Sequence, residues 1–260
     1  MNIWQQNLNK SDIPQQELIN SIDPNTYDIL VLQEPYIDFF LGNTHANQRW
    51  YSLLPSMHHN NPKKSQTAMF INKGILSSTW QQTRVESQDI VVVSINITAG
   101  PITIFNIYND SVHSDSLQVL WNTLVANAWH PKSINLDGMR GAGDFNQHHP
   151  MWDEERNSHL FTTNNLDTAQ ILIDLLADFS ILMSLLKDIP TLQATYTKNL
   201  TWPNNIFCSR IILGIITQCT TLPDLQPPCM DHFPIAITPD TSMEQSLDTL
   251  KLNWWLVHWD

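Results

Sequence analysis

Gly143-Asp144-Phe145-Asn146-Gln147-His148-His149-Pro150-Met151-Trp152-Asp153 lies near the middle of the 260-residue chain. It sets a carboxylate and an amide directly behind a glycine turn. The run ahead of it, Ser133 to Ala142, is expected to be the strand that delivers Asp144. That run is a poor strand on composition, with Asp137, Gly138 and Gly141 where apolar residues are wanted. Three other polar clusters lie far away in sequence: Asn7, Gln33-Glu34 and Asp231-His232. Each follows a stretch that reads as a strand or sits at its end. In sheet proteins such ends converge at one edge.

Working toward the N-terminus, Ile3-Trp4-Gln5-Gln6-Asn7-Leu8 reads as a first strand that ends in polar residues. Ser11-Asp12 ahead of Ile13-Pro14 supplies a helix start, and Leu18, Ile19 and Ile22 share one face before Asp23-Pro24 stops it. Asp28-Ile29-Leu30-Val31-Leu32 is a continuous β-prone run, the pattern of a strand buried on both faces, and it delivers Gln33-Glu34. Trp50 to Leu54 and Thr67 to Ile71 read as strands around a polar loop, His58 to Lys64. Ile90 to Ile97 and Ile102 to Tyr108 flank Ala99-Gly100-Pro101, a hairpin signal. Asp115 to Trp129 is an amphipathic helix with Leu117, Leu120, Trp121 and Leu124 at helical spacing. Toward the C-terminus a helix is expected over Leu166 to Leu176. Strands are expected over Phe179 to Met183, Ile206 to Ser209, Ile211 to Ile216 and Phe233 to Thr238.

This order is neither strict strand–helix alternation nor all-β. It predicts an α/β (α+β) four-layer sandwich, two packed mixed β-sheets flanked by helices. Residues 1–239 are expected to form one domain, and 240–260 a C-terminal tail. A 42% hydrophobic content in 260 residues supports a core of that size. The N-terminus lacks the basic start and apolar run of a signal peptide, and no apolar run is long enough to span a bilayer. The three cysteines form no CxxC pair, so reduced thiols and an intracellular (nuclear or cytoplasmic) monomer, with no membrane partner, are expected.

Glu34, Asp144 and Asp231 are carboxylates, and Asn7 and Asn146 are neutral oxygen donors. All are hard ligands. Such a set suits Mg²⁺ or Mn²⁺ and not Zn²⁺, which takes cysteine or several histidines. His232 supplies a base or a water-orienting group, and Tyr108 a hydrogen-bond donor to phosphate. The chemistry this implies is metal-assisted, in-line attack of water on a phosphodiester. The net charge of −12 speaks against strong non-specific binding to nucleic acid and leaves a weak, metal-assisted contact with DNA. Lys63-Lys64 reads as part of a solvated loop, and His58-His59 and His148-His149 as surface histidines.

Asn7, Gln33-Glu34, Tyr108-Asn109, Gly143-Asp144-Phe145-Asn146 and Asp231-His232-Phe233-Pro234-Ile235, in that order, resemble the endonuclease/exonuclease/phosphatase superfamily. The longer central motif is similar to the endonuclease domains of fungal LINE-type (non-LTR) retrotransposons. So are Ile189-Pro190-Thr191-Leu192-Gln193-Ala194-Thr195 and the run from Pro227 to Ile235. In those polyproteins a reverse transcriptase follows the domain. The resemblance implies Glu34 as principal metal ligand helped by Asn7, with Asp231 as a further metal or water ligand. It implies Asp144 as the group that orients or deprotonates water, with Asn146 beside it. Tyr108 and His232 would contact the scissile phosphate, and Asn109 and Thr191 are carried over as phosphate contacts.

One position departs from the pattern. The family has an aspartate five residues ahead of a serine, and it hydrogen-bonds the histidine. Here Asn204 stands five residues ahead of Ser209. An amide accepts a hydrogen bond but does not stabilise imidazolium. Trp202 also stands where the family has a basic residue. The sequence therefore supports a DNA-nicking endonuclease with activity reduced by Asn204. It leaves open two alternatives: a catalytically inactive relic of such a domain, and a small-molecule phosphoesterase.

Overall fold

Alternation along the strands builds the layers. In chain order the strands are β1 (Ile3–Asn7), β2 (Ile29–Gln33), β3 (Trp50–Leu53), β4 (Thr67–Asn72), β5 (Trp80–Thr83), β6 (Ile90–Ile97), β7 (Gly100–Tyr108), β8 (Gly138–Asp144), β9 (Ile181–Met183), β10 (Leu192–Gln193), β11 (Leu200–Thr201), β12 (Asn204–Ser209), β13 (Ile216–Thr221) and β14 (Ile235–Pro239). The helices are α1 (Asp12–Ser21), α2 (Asp115–Ala126), α3 (Thr163–Asp178) and α4 (Arg210–Leu213). The computed structural model describes residues 1–97, 100–127, 138–228 and 230–240, with the backbone alone at 138–140. The expected tail from 241 onward, Ala99 of the hairpin, Trp129 of the second helix, Ser133 to Asp137 of the central run and Cys229 lie outside the described residues.

One sheet runs β13-β14-β1-β2-β4-β3 and the other β5-β6-β7-β8-β12-β9, with β10-β11 a separate ribbon. Both six-stranded sheets are mixed: β1–β2 and β7–β8 are parallel, and the remaining pairs are antiparallel. Ile3, Ile29, Val31, Met69 and Ile71 of the first sheet share one buried core with Val91, Val93, Ile104, Ala142 and Ile206 of the second. The outer face of the first sheet, through Trp4, Leu30 and Phe70, packs on Leu18 and Ile19 of α1. The outer face of the second, through Val92, Phe105 and Phe207, packs on Leu117 and Leu120 of α2 and on Leu172 and Leu175 of α3. The order is helix, sheet, sheet, helices, the expected four-layer sandwich. Each such aliphatic side chain contributes about 1.5–3 kcal/mol on burial.

Three expectations need correction. Ile211 to Ile216 is not a strand: Arg210–Leu213 forms the short helix α4, and the strand begins at Ile216. The β-branched residues suggested a strand, but the turn of helix buries Ile212 in the inter-sheet core. The polar edge strand β5 and the two-residue strands β10 and β11 carry no apolar run and were not expected. The central strand β8 is intact where it is described. It has a ladder on each side, to β7 and β12, and tertiary pairing overrides its weak propensity. Its glycine at 143 is a packing requirement, since a Cβ there would lie 2.2 Å from the Ile107 carbonyl oxygen. Among the described residues no helix is long and apolar enough to cross a membrane.

Candidate active site

The parallel pairs β1–β2 and β7–β8 bring their C-terminal ends out at one edge of the sandwich. β12 starts at that edge, because Asn204 pairs with Asp144 across the β8–β12 ladder. β14 runs antiparallel to β1, so the chain reaches it from the same edge through Asp231-His232. Along the faces that meet between the sheets, character changes toward this edge. Ile3 gives way to Gln5 and then Asn7, and Ile104 to Asn106 and then Tyr108. Ala142 gives way to Asp144. The buried amides form a connected layer: Gln5 Nε2 donates to Gln33 Oε1, and Gln33 Nε2 donates to Asn106 Oδ1 at 2.6 Å. Asn106 Nδ2 in turn donates to the Leu32 and Ala68 carbonyls at 2.9 and 2.8 Å.

Above this layer Asn7 joins the two sheets. Its Nδ2 donates to Asp144 Oδ2 at 2.7 Å and to Glu34 Oε2 at 3.1 Å. Its Oδ1 accepts from the Asn9 N–H at 2.7 Å. Tyr108 Oη donates to Glu34 Oε1 at 3.2 Å. Burial pushes the Tyr108 hydroxyl far up, aided by the charges of Glu34 and Asp144, so the phenol keeps its proton and stays a donor. Glu34 sits at φ +45°, a left-handed conformation that costs a non-glycine residue about 1–3 kcal/mol and clusters at functional sites. Its backbone is held by Glu34 N to Gln66 O at 2.7 Å and Lys10 N to Glu34 O at 2.8 Å.

Asp144 is 1% exposed. Desolvation raises its pKa above the ordinary aspartate range. Facing His232, the Asn7 hydrogen bond and the Asn146 N–H pull it down, while the charge of Glu34 pushes it up. Asn146 takes φ +49°, which its short polar side chain tolerates, and donates from its backbone to Asp144 Oδ1 at 3.2 Å. Asn146 Nδ2 donates to the Asn109 carbonyl at 2.9 Å. His232 Nδ1 meets Asn204 Oδ1 at 2.6 Å, so the ring donates there and its Nε2 faces the mouth. Nε2 lies 3.9 Å from Asp144 Oδ2 and 3.9 Å from Asp231 Oδ1. Asn204 Nδ2 is buried with no hydrogen-bond partner among the described residues.

Asn7, Glu34, Tyr108, Asp144, Asn146, Asn204, Asp231 and His232 therefore meet at one mouth. The two expected phosphate contacts are tied to these residues by hydrogen bonds. Thr191 is fully buried, and its Oγ1 accepts from the Asn204 N–H at 3.1 Å. Asn109 is also fully buried, and its Nδ2 bonds the Phe145 and Asp110 carbonyls, each at 3.1 Å. Thr191 is thus bonded to Asn204, and the Asn109 N–H donates to the Asp144 carbonyl at 2.8 Å. Residues absent from the sequence reading are Asn106, legible in retrospect as the inward-facing polar position of an alternating strand, and Lys10. Lys10 has φ +53° and places Nζ 4.0 Å from Glu34 Oε1; its lone charge in a loop gave no signal.

Among the described residues no group of three or more His, Cys, Asp and Glu side chains is placed to hold a metal by itself. The donor set still suits a hard cation that keeps most of its waters, the habit of Mg²⁺. The Glu34 carboxylate accepts from Asn7 Nδ2 and Tyr108 Oη and lies 4.0 Å from Lys10 Nζ. Asn7, expected as a ligand, donates from Nδ2 to both carboxylates, and its Oδ1 accepts from the Asn9 N–H.

The layers, their order and the site at their edge define the endonuclease/exonuclease/phosphatase fold. The endonuclease domain of TRAS1, a telomere-specific non-LTR retrotransposon, superposes with a TM-score of 0.69 over 93% of this chain and 99% of its own, at 17% identity. The catalytic domain of Xenopus laevis APE2 does so with a TM-score of 0.66 over 92% of this chain and 91% of its own, at 15% identity. The Neisseria 3′ phosphatase NExo, solved bound to a product DNA hairpin, gives 0.64 over 92% and 99%, at 12% identity. No family model matches the chain, and no curated protein matches it by sequence.

Proposed function

We propose that the protein is a metal-dependent phosphodiesterase that nicks DNA, derived from a retrotransposon endonuclease domain. The observation that carries this is the Asn7 bridge. One amide nitrogen holds Asp144 and Glu34, from opposite sheets, within hydrogen-bond distance of itself, and His232 closes the group. Asp144 is the base: its raised pKa strengthens its hold on a proton taken from water, and Asn7 and Asn146 fix the direction of its oxygens. Tyr108 keeps its proton and donates to Glu34, or to a phosphate oxygen that replaces it. His232, with Nδ1 bound to Asn204, presents Nε2 toward the space between Asp144 and Asp231. Mg²⁺ or Mn²⁺ held by Glu34 would neutralise the charge that develops on the phosphate oxygens.

The test is conversion of supercoiled plasmid to open circle in Mg²⁺. Wild-type protein is expected to nick and Glu34→Ala not to. Equal, background-level product from both would end the proposal. A second reading, a silent relic of such a domain, is favoured by one observation, the unpartnered Asn204 amide beneath His232. It requires that wild-type protein make no nicks.

A further inference from the structure

Five residues past Glu34 the chain presents Phe39, Phe40 and Leu41 to solvent. They are 65%, 91% and 77% exposed. Isolated exposed apolar residues are ordinary, but a contiguous group is not. This group is also held rigidly. Ile37 and Thr44 form an antiparallel bridge, and Gly42 N donates to the Asp38 carbonyl at 3.0 Å. Asp38 Oδ1 accepts from the Phe40 and Leu41 N–H groups at 2.8 and 2.7 Å. At the base of the loop the Tyr36 ring stacks on His45 at 5.1 Å. The apolar tip is a built feature of the fold.

A second segment completes it. His58 Nε2 bonds the Gly42 carbonyl at 2.7 Å and its Nδ1 bonds Ser65 Oγ at 2.8 Å, tying the tip to residues 58–65. Lys63 Nζ lies 3.3 Å from the Phe39 ring centroid, a cation–π contact. Lys63-Lys64 is the one adjacent pair of basic residues in a chain of net charge −12. Both segments are rooted at the mouth, because Gln66 O accepts the Glu34 N–H. The five-residue path from Glu34 to Phe39 spans at most about 18 Å. That is roughly five nucleotides of a strand at about 3.4 Å each.

We propose that Phe40, Phe39 and Lys63 form a nucleic-acid subsite that stacks an unpaired base and holds its phosphate, on the strand running into the mouth. This rests on the nuclease reading and adds to it a substrate class: DNA with unpaired nucleotides a few positions from the cut. Aromatic faces beside ammonium groups are the means by which proteins hold single strands without reading sequence. The alternatives fit less well. A protein interface needs about 20–30 residues a side, and a membrane patch needs about 4–8 Lys or Arg. Two lysines and three apolar side chains match one or two nucleotides.

The test is fluorescence anisotropy on the full chain in EDTA, which prevents cleavage. The probes are a labelled duplex and the same duplex with a three-nucleotide bulge. Wild-type protein is expected to bind the bulged duplex about tenfold more tightly, and Phe40→Ala to lose that preference while binding plain duplex equally. Lys63→Ala is expected to weaken both and to flatten the salt dependence by about one charge. An unchanged preference in Phe40→Ala overturns the subsite. So does a Phe40-dependent attachment to phosphatidylserine vesicles, or a Phe40-dependent dimer in sedimentation, without the DNA preference. The nicking assay separates this from the nuclease reading. Nicks with no Phe40 effect sink the subsite alone; a Phe40 effect with no nicks sinks the nuclease reading alone.

Discussion

Replacing Asn204 by aspartate exchanges a buried amide nitrogen that has no acceptor among the described residues for a second carboxylate oxygen. The retained oxygen already lies 2.6 Å from His232 Nδ1, so the geometry for a charge-assisted bond is in place. A neutral hydrogen bond contributes about 1 kcal/mol and a charged one about 1.5–3 kcal/mol. The difference, about 0.5–2 kcal/mol, falls on the imidazolium state. If His232 gains positive charge in the transition state, nicking rises about 2–30-fold. The roughly 10⁴ effect of the equivalent change in a protease triad is the ceiling. Loss of the orphaned donor recovers about 1–3 kcal/mol of desolvation, which offsets part of the cost of a second buried charge. The new charge stands directly across the β8–β12 ladder from Asp144, with Cβ atoms about 4.5–5.5 Å apart. It therefore pushes Asp144 further up and shifts the acid limb of the rate profile to higher pH. Initial nicking rates from pH 5 to 9, with melting curves on the same samples, test both effects. A folded variant whose rate rises less than twofold across that range would refute the reasoning.

Asn7→Ala removes a donor that holds the Asp144 pKa down. If Asp144 acts as carboxylate, activity is present above its pKa and is lost as pH falls through it. The acid limb of kcat/KM should therefore move to higher pH in the variant, and a limb left in place would exclude Asp144 as the base. Asp144→Asn should abolish nicking and raise Tm near neutral pH. A carboxyl whose folded pKa lies above its unfolded value favours folding at low pH and loses that contribution as pH rises, so the charged form is a liability at pH 7. Calorimetry at pH 4 and pH 7 should show the gain at pH 7 alone, with each kcal/mol worth about 2–4 °C.

Much of this was legible because strands write their burial in alternation. Ile29 to Leu32 has no polar position, and β2 is buried along its whole length. The polar residues that end such runs then had to emerge at an edge, and Asn7, Glu34, Tyr108 and Asp144 do. What was not legible depends on neighbours distant in sequence. Gly143 read as a turn, yet it lies within β8, where only a residue without a side chain fits against the Ile107 carbonyl. Thr191 and Asn109 were carried over as phosphate contacts, and the hydrogen bonds that tie them to Asn204 and Asp144 join segments distant in sequence, which a motif does not encode. Ile211 to Ile216 carried strand propensity, and packing of Ile212 turned it into helix.

The amide layer explains how a site split between two sheets keeps its geometry. Sheet-on-sheet packing through Ile and Val is non-directional and would tolerate sliding. Asn106 removes that freedom. It projects from the second sheet, and its one Nδ2 group bonds carbonyls of both β2 and β4 in the first. Asn7 and Asp144 meet one layer above, so the register set by Asn106 becomes the register of the base. Asn106→Leu matches the volume but strands the Leu32 and Ala68 carbonyls and Gln33 Nε2, at about 1–3 kcal/mol for each group. The variant should melt well below wild type. At temperatures where it remains folded, its kcat should fall more than its KM rises, because the displaced group is Asp144 and not a substrate contact. A destabilised Asn106→Leu protein with wild-type kcat would show that the apolar core alone aligns the sheets.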